Sequence, residues 1–524
     1  MKFQLVFLFL LFVVAETKAQ TVQGAQGESF AVRIVAKELS DPWEVTYGPD
    51  ATLWVTEAKG YKVSRIDPAT GAKTVLLDLT KERKFPRYDT IPDKKDGGKP
   101  WPQGGLMGLA LHPRLLNGKP YVYLAYLYQY AGASEKGNGS RPNYGGYYFT
   151  TKLVRYTYRS DAQTLADPVV LCDTIPGSSD HNSGRLLIAP VDGRDYLFYT
   201  VGDLGAGQFD NAGRPNHAQR TDYYEGKVLR FNTEPDSDAD ASARWIPNDN
   251  PFNAARQNAV WSYGHRNAQG LAYAVINGKG QIYASEHGPF SDDEINRIER
   301  GKNYGHPLVI GYNDNNYNGL AAGVTAHDSI PGLWHTMYPL IVSENANTKA
   351  IGAASYRDPL KTLYPLSNRF LTSLFSQIKN NAPEQPSWQS EAPSSIDVYT
   401  GTAIPGWKNS LLIPTLKEGK LIRLQLNAGG DAVIGDTIMY FKAPIRYRDL
   451  ALSPDGTKLY LATDSTIATS GPSREDPKAS NCRGCLLEFT YQNRTTPAPV
   501  SQDASRDGML NRPVQPRARK SGLK

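Results

Sequence analysis

The chain has little sulfur. Among 524 residues there are three cysteines and five methionines. An odd cysteine count cannot pair fully within one chain, so a disulfide framework is not what organises this fold. Cys482-Arg483-Gly484-Cys485 has the CxxC spacing, but no second CxxC or HxxxH supplies the further ligands that a zinc site needs. A local disulfide, or two loop thiols, is the expectation there. Long apolar runs are also scarce. Leu5 to Ala15 forms one, preceded by Lys2 and followed by Glu16-Thr17-Lys18-Ala19-Gln20. It is too short to span a bilayer and reads as a secretory signal over residues 1–20, leaving an exported, periplasmic or secreted chain with no transmembrane segment. Charge is nearly balanced, 58 Lys and Arg against 52 Asp and Glu. Few basic clusters are interleaved with aromatics, so nucleic acid is not an expected partner. No sustained 3.6-residue period appears, which excludes a helical solenoid.

What is plentiful is glycine (47), proline (36) and tyrosine (31), a balance that suits short strands joined by tight turns. One pattern recurs: a turn, then a short β-branched or aromatic strand ending in a polar residue. Tyr47-Gly48-Pro49-Asp50 leads to Leu53–Glu57, and His112-Pro113 leads to Tyr121–Leu124. Asp192-Gly193 leads to Leu197–Asp203, and Gly278-Lys279-Gly280 to Ile282–Glu286. Gly406-Trp407 leads to Leu411–Pro414, and Ser453-Pro454-Asp455-Gly456 to Leu459–Asp464. Six such units bury their faces only by stacking on one another. The expected fold is all-β, a six-bladed β-propeller of four-stranded antiparallel sheets over residues 21–492. A jelly roll is the alternative, disfavoured by six repeats with like turns. Lys81 to Pro102 reads as a surface loop, and residues 493–524 as a polar, disordered tail.

Four clusters could carry chemistry. Trp261 to Glu294 contains His265-Arg266-Asn267 and Glu286-His287-Gly288-Pro289, each after a strand-like run, with the hairpin signal Asn277-Gly278-Lys279-Gly280 between them. Asp180-His181-Asn182-Ser183-Gly184-Arg185 places a histidine beside a carboxylate; neutral imidazole takes a proton near pH 7, and Asp203 is a plausible orienting group. Arg446-Tyr447-Arg448 alternates two guanidiniums onto one strand face, and with Lys417 they would make a polyanion pocket. The carbonyls of Gly288-Pro289, with Asp292, Asp293, Glu294 and Asp314 near in sequence, are oxygen ligands of the kind calcium takes, without EF-hand spacing. Taken singly, each has an ordinary reading: a solvated loop histidine, a charged surface, a solvated acidic face.

Taken together, they resemble the soluble quinoprotein glucose dehydrogenases and the related aldose sugar dehydrogenases, which use pyrroloquinoline quinone (PQQ). The resemblance runs from Ile34 to Tyr491. It is carried by Pro102-Gln103-Gly104-Gly105-Leu106 with Leu111-His112-Pro113, by Asp180 to Leu186, by Gly264-His265-Arg266-Asn267, by Gly288-Pro289 with Ser291 to Asn296, by Asn303-Tyr304-Gly305, by Pro393-Ser394-Ser395 and by Arg446-Tyr447-Arg448-Asp449. The resemblance implies a six-bladed propeller with the cofactor in a cleft at one end. It implies hydride transfer from C1 of an aldose to the quinone, giving a lactone, with electrons passed to an external acceptor. His181 would be the base, Asp203 its orienting carboxylate, and Arg266 the group facing charge on the quinone oxygen. Gln103, Asp180 and Trp388 would meet the sugar. Lys417, Arg446 and Arg448 would meet the three carboxylates of PQQ, with Asn267 and Ser390 beside them. Gly288 and Pro289 would hold a calcium ion against the quinone, and a second calcium region would match Glu294, Tyr304, Ile310, Tyr312, Asp314 and Glu344.

The chain also departs from the family. His287 stands where the glucose enzyme has glutamine, Ser390 where it has threonine, and Ser367 to Pro386 does not align with it. A homodimer, the natural acceptor and the preferred sugar are left open by the sequence. Two other classes remain: a non-enzymatic, calcium-stabilised propeller that binds sugar or protein, and a calcium-dependent lactonase needing no quinone.

Overall fold

A computed structural model describes residues 20–85, 102–134, 144–241, 243–382, 388, 390–465 and 482–493. The expected signal segment, most of the loop from Lys81 to Pro102 and nearly all of the tail lie outside the described residues. Six antiparallel sheets are arranged around a ring. The first blade is Pro42–Tyr47, Leu53–Glu57, Lys62–Ile66 and Lys73–Asp78; the second Leu106–Leu111, Tyr121–Ala133, Tyr147–Arg159 and Thr164–Ser178. The third is Leu186–Val191, Arg194–Val201, Lys227–Asn232 and Val260–Tyr263; the fourth Ala268–Ile276, Lys279–Glu286, Asp293–Arg297 and Lys361–Leu363. The fifth is Asp397–Tyr399, Ser410–Pro414, Leu421–Leu426 and Val433–Tyr440.

The sixth blade departs from the expected four strands. Tyr447–Leu452, Lys458–Thr463 and Leu486–Tyr491 are completed by Ser29–Ala36 from the start of the chain, and Gln20–Gln23 adds a fifth strand outside it. That short strand pairs an edge that would otherwise present open backbone groups. The six turn–strand units legible in the sequence are the second strands of the six blades.

Each interface between neighbouring blades has its own apolar cluster. Trp54 and Val63 meet Leu106 and Leu124 between the first two blades. Tyr123 and Leu153 meet Leu197 and Phe231 at the next, and Phe198 meets Ile282 at the third. Tyr283 and Ile295 meet Leu411, Trp407 meets Phe30 and Phe489, and Val45 and Leu53 meet Tyr460 and Leu486. Stacked blades therefore supply the core that no single sheet can.

Near the axis, Arg185 ties the ring together. Its Nη1 donates to Glu44 Oε2 (2.6 Å) and lies 3.1 Å from Asp449 Oδ2; Nε donates to the Gln269 carbonyl and Nη2 to the Ser394 carbonyl. Its guanidinium rests 4.2 Å from the centre of the Trp43 ring. Burial works against its charge, but Asp449 and Glu44 more than offset this and push its pKa up. An annex lies between the third strand of the fourth blade and the first strand of the fifth. It contains helices Glu344–Ile351 and Asn368–Lys379, and its Tyr317, Trp334, Tyr338, Leu371 and Phe375 form an apolar cluster with Phe290 from the turn before that third strand. Among the described residues, no helix is long and apolar enough to cross a membrane.

Candidate active site

The blade topology gathers the candidate residues at one end of the propeller. Gln103, His181, Arg266 and Asn267, and Arg446 lie just before the innermost strands of four blades. Asp203, Gly288 and Lys417 lie just after second strands, and Arg448 lies at the start of an innermost strand. In an antiparallel pair, the start of one strand adjoins the end of the next, so these positions share one rim.

His181 sits in a tight loop whose residues 181, 183 and 184 all have positive φ. Asn182 staples that loop: its side chain accepts from Ser178 N and donates to the carbonyls of Ser178 and Gln103. Below it, Gly202 must be glycine, because a Cβ there would come within 1.9 Å of the His181 carbonyl oxygen. His181 Nδ1 is 2.7 Å from Asp203 Oδ1. A carboxylate only accepts, so Nδ1 carries the proton and Nε2 is left as the basic nitrogen. Nε2 is 3.0 Å from Gln208 Nε2, whose amide orientation is set by Arg266 Nη2 donating to Gln208 Oε1 (2.6 Å). Asp203 is fully buried and also accepts from His306 Nε2 (2.9 Å), Tyr338 OH (2.8 Å), Asn216 Nδ2 and Gly205 N. Burial pushes its carboxyl up, but His181 and His306 outweigh this and hold it far below the usual carboxylate range. Asp180 is half-buried; it accepts from Gln103 Nε2 (3.1 Å) and Gln208 Nε2 (3.2 Å), which places Gln103 and Asp180 together beside the imidazole.

Arg266 forms the next wall. Its Nη1 donates to the carbonyls of His287 (3.1 Å) and Gly288 (2.9 Å), while its Nε is buried with no hydrogen-bond partner. Asn267 Oδ1 accepts from Ser183 N and Oγ, and Asn267 Nδ2 faces His287 Nδ1 at 3.4 Å. His287 Nε2 is 3.1 Å from the Pro393 carbonyl. Burial, then the nearby His181, Arg266 and Arg448, pull the His287 pKa well down, so it is a neutral wall residue. Further round, Arg448 forks onto Asp464 through Nε and Nη2, both at 2.8 Å, and Arg446 Nε reaches the same carboxylate at 3.3 Å. Arg446 Nη1 donates to the carbonyl of Leu416, next to Lys417. Lys417 Nζ donates to the Trp388 carbonyl and lies 5.5 Å from the centre of that ring. Arg446 and Arg448 thus share Asp464, and Lys417 follows the residue whose carbonyl Arg446 holds, so three cationic side chains are gathered on one stretch of the rim, a set that suits a polycarboxylate.

Ser390 lies on the same side as Trp388 and is tied to the Gly288 turn through Asp293. Its Oγ donates to Asp293 Oδ2 (3.0 Å), which also accepts from Glu391 N and Ala392 N, while Asp293 Oδ1 accepts from Gly288 N. Asp293 therefore organises the Gly288 turn. Trp388 packs edge-on against Phe290. The segment that fails to align with the glucose enzyme is in part the helix Asn368–Lys379, and its Phe375 supports Phe290 from behind.

Among the described residues, no group of three or more histidine, cysteine or acidic side chains is gathered closely enough to hold a metal by itself. Backbone oxygens are gathered in the Gly288 turn instead. The carbonyls of His287 and Gly288 already converge on one cation, the Arg266 guanidinium. A side chain at position 288 would strike the Ser291 carbonyl oxygen at 1.9 Å, so the turn is built for close backbone approach. Pro289 is half-buried in the same turn.

In the second region, Glu344 Oε1 accepts from Ile310 N, and the Tyr312 carbonyl accepts from Asp314 N. Asp292 Oδ1 is buried and unpartnered. Burial, then residual repulsion from Asp314 and other nearby carboxylates, raises Asp292 to about 6 and Glu344 to about 7. Buried carboxyls held up in this way are what a divalent cation would relieve. Glu294 instead accepts from Gly311 N and Asn296 Nδ2, and Tyr304 stacks on His265 with its hydroxyl on the Arg297 carbonyl.

Sequence reasoning missed Gln208, His306, Tyr338 and Asp464. Gln208 ends the glycine-rich stretch that follows a second strand, the same strand-end position that pointed to Asp203. Asp464 ends one of the six units. His306 and Tyr338 come from the annex, 103 and 135 residues from the carboxylate they touch, and carry no local signal.

Residues 39–352 and 376–469 match the sequence model of the family described as Glucose / Sorbosone dehydrogenase. The chain is 34% identical over 486 residues to quinoprotein glucose dehydrogenase B of Acinetobacter calcoaceticus, covering 89% of this chain and 92% of the relative. It is 25% identical over 439 residues to aldose sugar dehydrogenase YliI of Escherichia coli (strain K12), covering 83% and 90%. The PQQ-bound aldose sugar dehydrogenase of Streptomyces coelicolor superposes with a TM-score of 0.55 at 23% identity, covering 88% of this chain and 98% of that one; at that identity the likeness bears on the fold.

Proposed function

Because the chain belongs to the glucose/sorbosone dehydrogenase family and is a dehydrogenase, we propose that it oxidises an aldose at C1 to the lactone, with PQQ and calcium as cofactors. When bound, the quinone takes up the hydride, and calcium polarises its reactive carbonyl as a Lewis acid. His181 Nε2 receives the proton of the C1 hydroxyl. Asp203 keeps the Nδ1 proton in place and stabilises the imidazolium as it forms. Arg266 faces the negative charge that develops across the cleft. Gln103, Asp180 and Trp388 orient the sugar. Lys417, Arg446 and Arg448 hold the cofactor carboxylates, with Asn267 and Ser390 at their flank. Gly288 and Pro289 hold the catalytic calcium through their carbonyls, and Glu294, Tyr304, Ile310, Tyr312, Asp314 and Glu344 belong to a second, structural calcium region. Electrons leave to an external acceptor. Residues 1–20 are a removable export signal, 21–492 the propeller and 493–524 a polar tail sequence beyond it.

The observation that carries this reading is the Asp203–His181 pair at 2.7 Å, with Nε2 facing the Gln208 amide that Arg266 orients and the Lys417, Arg446 and Arg448 set on the same rim. A neutral sugar needs no triple cation, which favours a polycarboxylate cofactor over a non-enzymatic sugar-binding propeller. The test is reconstitution of the metal-free apoprotein with PQQ and calcium, followed by assay of glucose and other aldoses with an artificial acceptor. A bound-cofactor spectrum and aldose-dependent acceptor reduction are expected. No spectrum and no turnover with any aldose would overturn the reading, and lactone hydrolysis without added cofactor would point to a lactonase.

A further inference from the structure

The CxxC segment has no part in the chemistry above, yet it lies directly behind the cationic anchor. Cys482 and Cys485 are joined as a disulfide. The loop it closes grips residues 463 and 464. Thr463 N donates to the Cys485 carbonyl (3.0 Å), Cys485 N donates to Thr463 Oγ1 (2.9 Å), and Thr463 Oγ1 donates to the Cys482 carbonyl. Gly484 N donates to the Asp464 carbonyl at 3.3 Å, and the Gly484 carbonyl accepts from Leu39 N at 3.0 Å, tying the loop to the entry of the first blade. Asp464 is thus fixed at its backbone on one side by this loop and on the other by Asp464 N donating to the Arg446 carbonyl (3.0 Å). Its carboxylate is the group that Arg446 and Arg448 share. The loop lies beyond residue 469, where the family match ends.

Two guanidiniums held side by side repel each other, and a carboxylate between them fixes both forks only if it is itself fixed. We propose that Asp464 is a positioning residue for the cationic anchor and that the Cys482–Cys485 bridge is the strap that holds it, so that the strap sets the affinity for a polycarboxylate cofactor. This rests on the reading of Lys417, Arg446 and Arg448 as that cofactor's anchor. Without the bridge, the 482–485 turn gains conformations, its hydrogen bonds to Thr463 and Asp464 open more often, and the arginine forks must be ordered at the expense of binding.

The test titrates PQQ, with calcium present, into the full chain and into C482S/C485S, following tryptophan fluorescence and cofactor absorbance. The serine pair is expected to bind about threefold to tenfold more weakly, with kcat at saturating cofactor and the KM for sugar retained. T463V, which keeps the bridge but removes the hydroxyl link, is expected to shift affinity in the same direction by less. Equal affinity in the full chain and C482S/C485S overturns the proposal while leaving the function intact. If the serine pair does not fold, unchanged affinity in T463V overturns it. Failure of the unaltered chain to bind PQQ at all overturns the functional reading itself.

Discussion

Two buried arginines, Arg185 and Arg266, are exposed by only 2% and 5%, and they do opposite jobs. Arg185 is satisfied on every side: two carboxylates, two carbonyls and the face of Trp43 use its fork. Arg266 holds two carbonyls and a glutamine, and its Nε has no partner. A closed set of partners marks a residue whose work ends with the fold. An open one, in a rim of groups with spare hydrogen-bonding capacity, marks a residue with work still to do. The same contrast separates His265 from His181. His265 is enclosed by Ser262, Glu286 and the ring of Tyr304, whereas His181 is held by Asp203 at Nδ1 and meets only the neutral Gln208 amide at Nε2, a partner that a substrate hydroxyl can replace.

Substitutions sharpen that contrast. H181A is expected to lower kcat about 10²-fold to 10⁴-fold with a smaller loss of stability than R185M, because Asp203 keeps His306, Tyr338, Asn216 and Gly205 N as donors, measured by steady-state kinetics beside a thermal melt; a loss as large as that of R185M with kcat kept would place His181 with Arg185 instead. R185M is expected to do the reverse. Leaving Glu44 and Asp449 buried without their partner costs on the order of 3–5 kcal/mol, read as a lower denaturant midpoint, whereas R266M is expected to cost mainly kcat.

The acidic annex gives the next effect. In native protein Asp292 and Glu344 keep their protons to about pH 6 and 7, while in the unfolded chain they lose them near 3.8 and 4.5. The native state therefore binds more protons between those values. Their contribution to metal-free stability is full below about pH 4 and is lost as pH rises toward 7, by roughly 3 kcal/mol for each carboxyl. Added calcium is expected to flatten that fall, visible as melting temperature against pH with chelator and with calcium. F375A is expected to act least on chemistry. It removes the ring behind Phe290 and Trp388, so the KM for sugar is expected to rise a few-fold with kcat nearly kept, and a change in kcat instead would argue that the helix reaches the reacting atoms.

The fold was legible because each blade repeats one strong local signal, a turn followed by a hydrophobic second strand whose polar end lands on the rim. Asp203, Glu286 and Asp464 all end such strands. First strands and outer strands are less regular and gave no comparable signal. The fifth strand of the last blade was missed because Gln20–Gln23 is short, polar and exposed. The helix Asn368–Lys379 was missed, although Phe370, Leu371, Leu374, Phe375 and Ile378 follow a helical period, because it is a single short element in an otherwise strand-rich chain. His306 and Tyr338 were beyond reach for another reason: their role depends on a contact across more than a hundred residues, which only the folded annex creates.

The pairing of the last blade governs when this protein can become itself. Leu486–Tyr491 lies between Lys458–Thr463 and Ser29–Ala36, so strands 450 or more residues apart in the chain lie side by side. The ring cannot close before residue 491 has been made, and until then the early blades keep an open seam. Such distant pairing makes for slow maturation and a period of vulnerability to self-association. A deletion of a few residues at either end of the propeller would then act less as a local trim than as a failure to shut the circle.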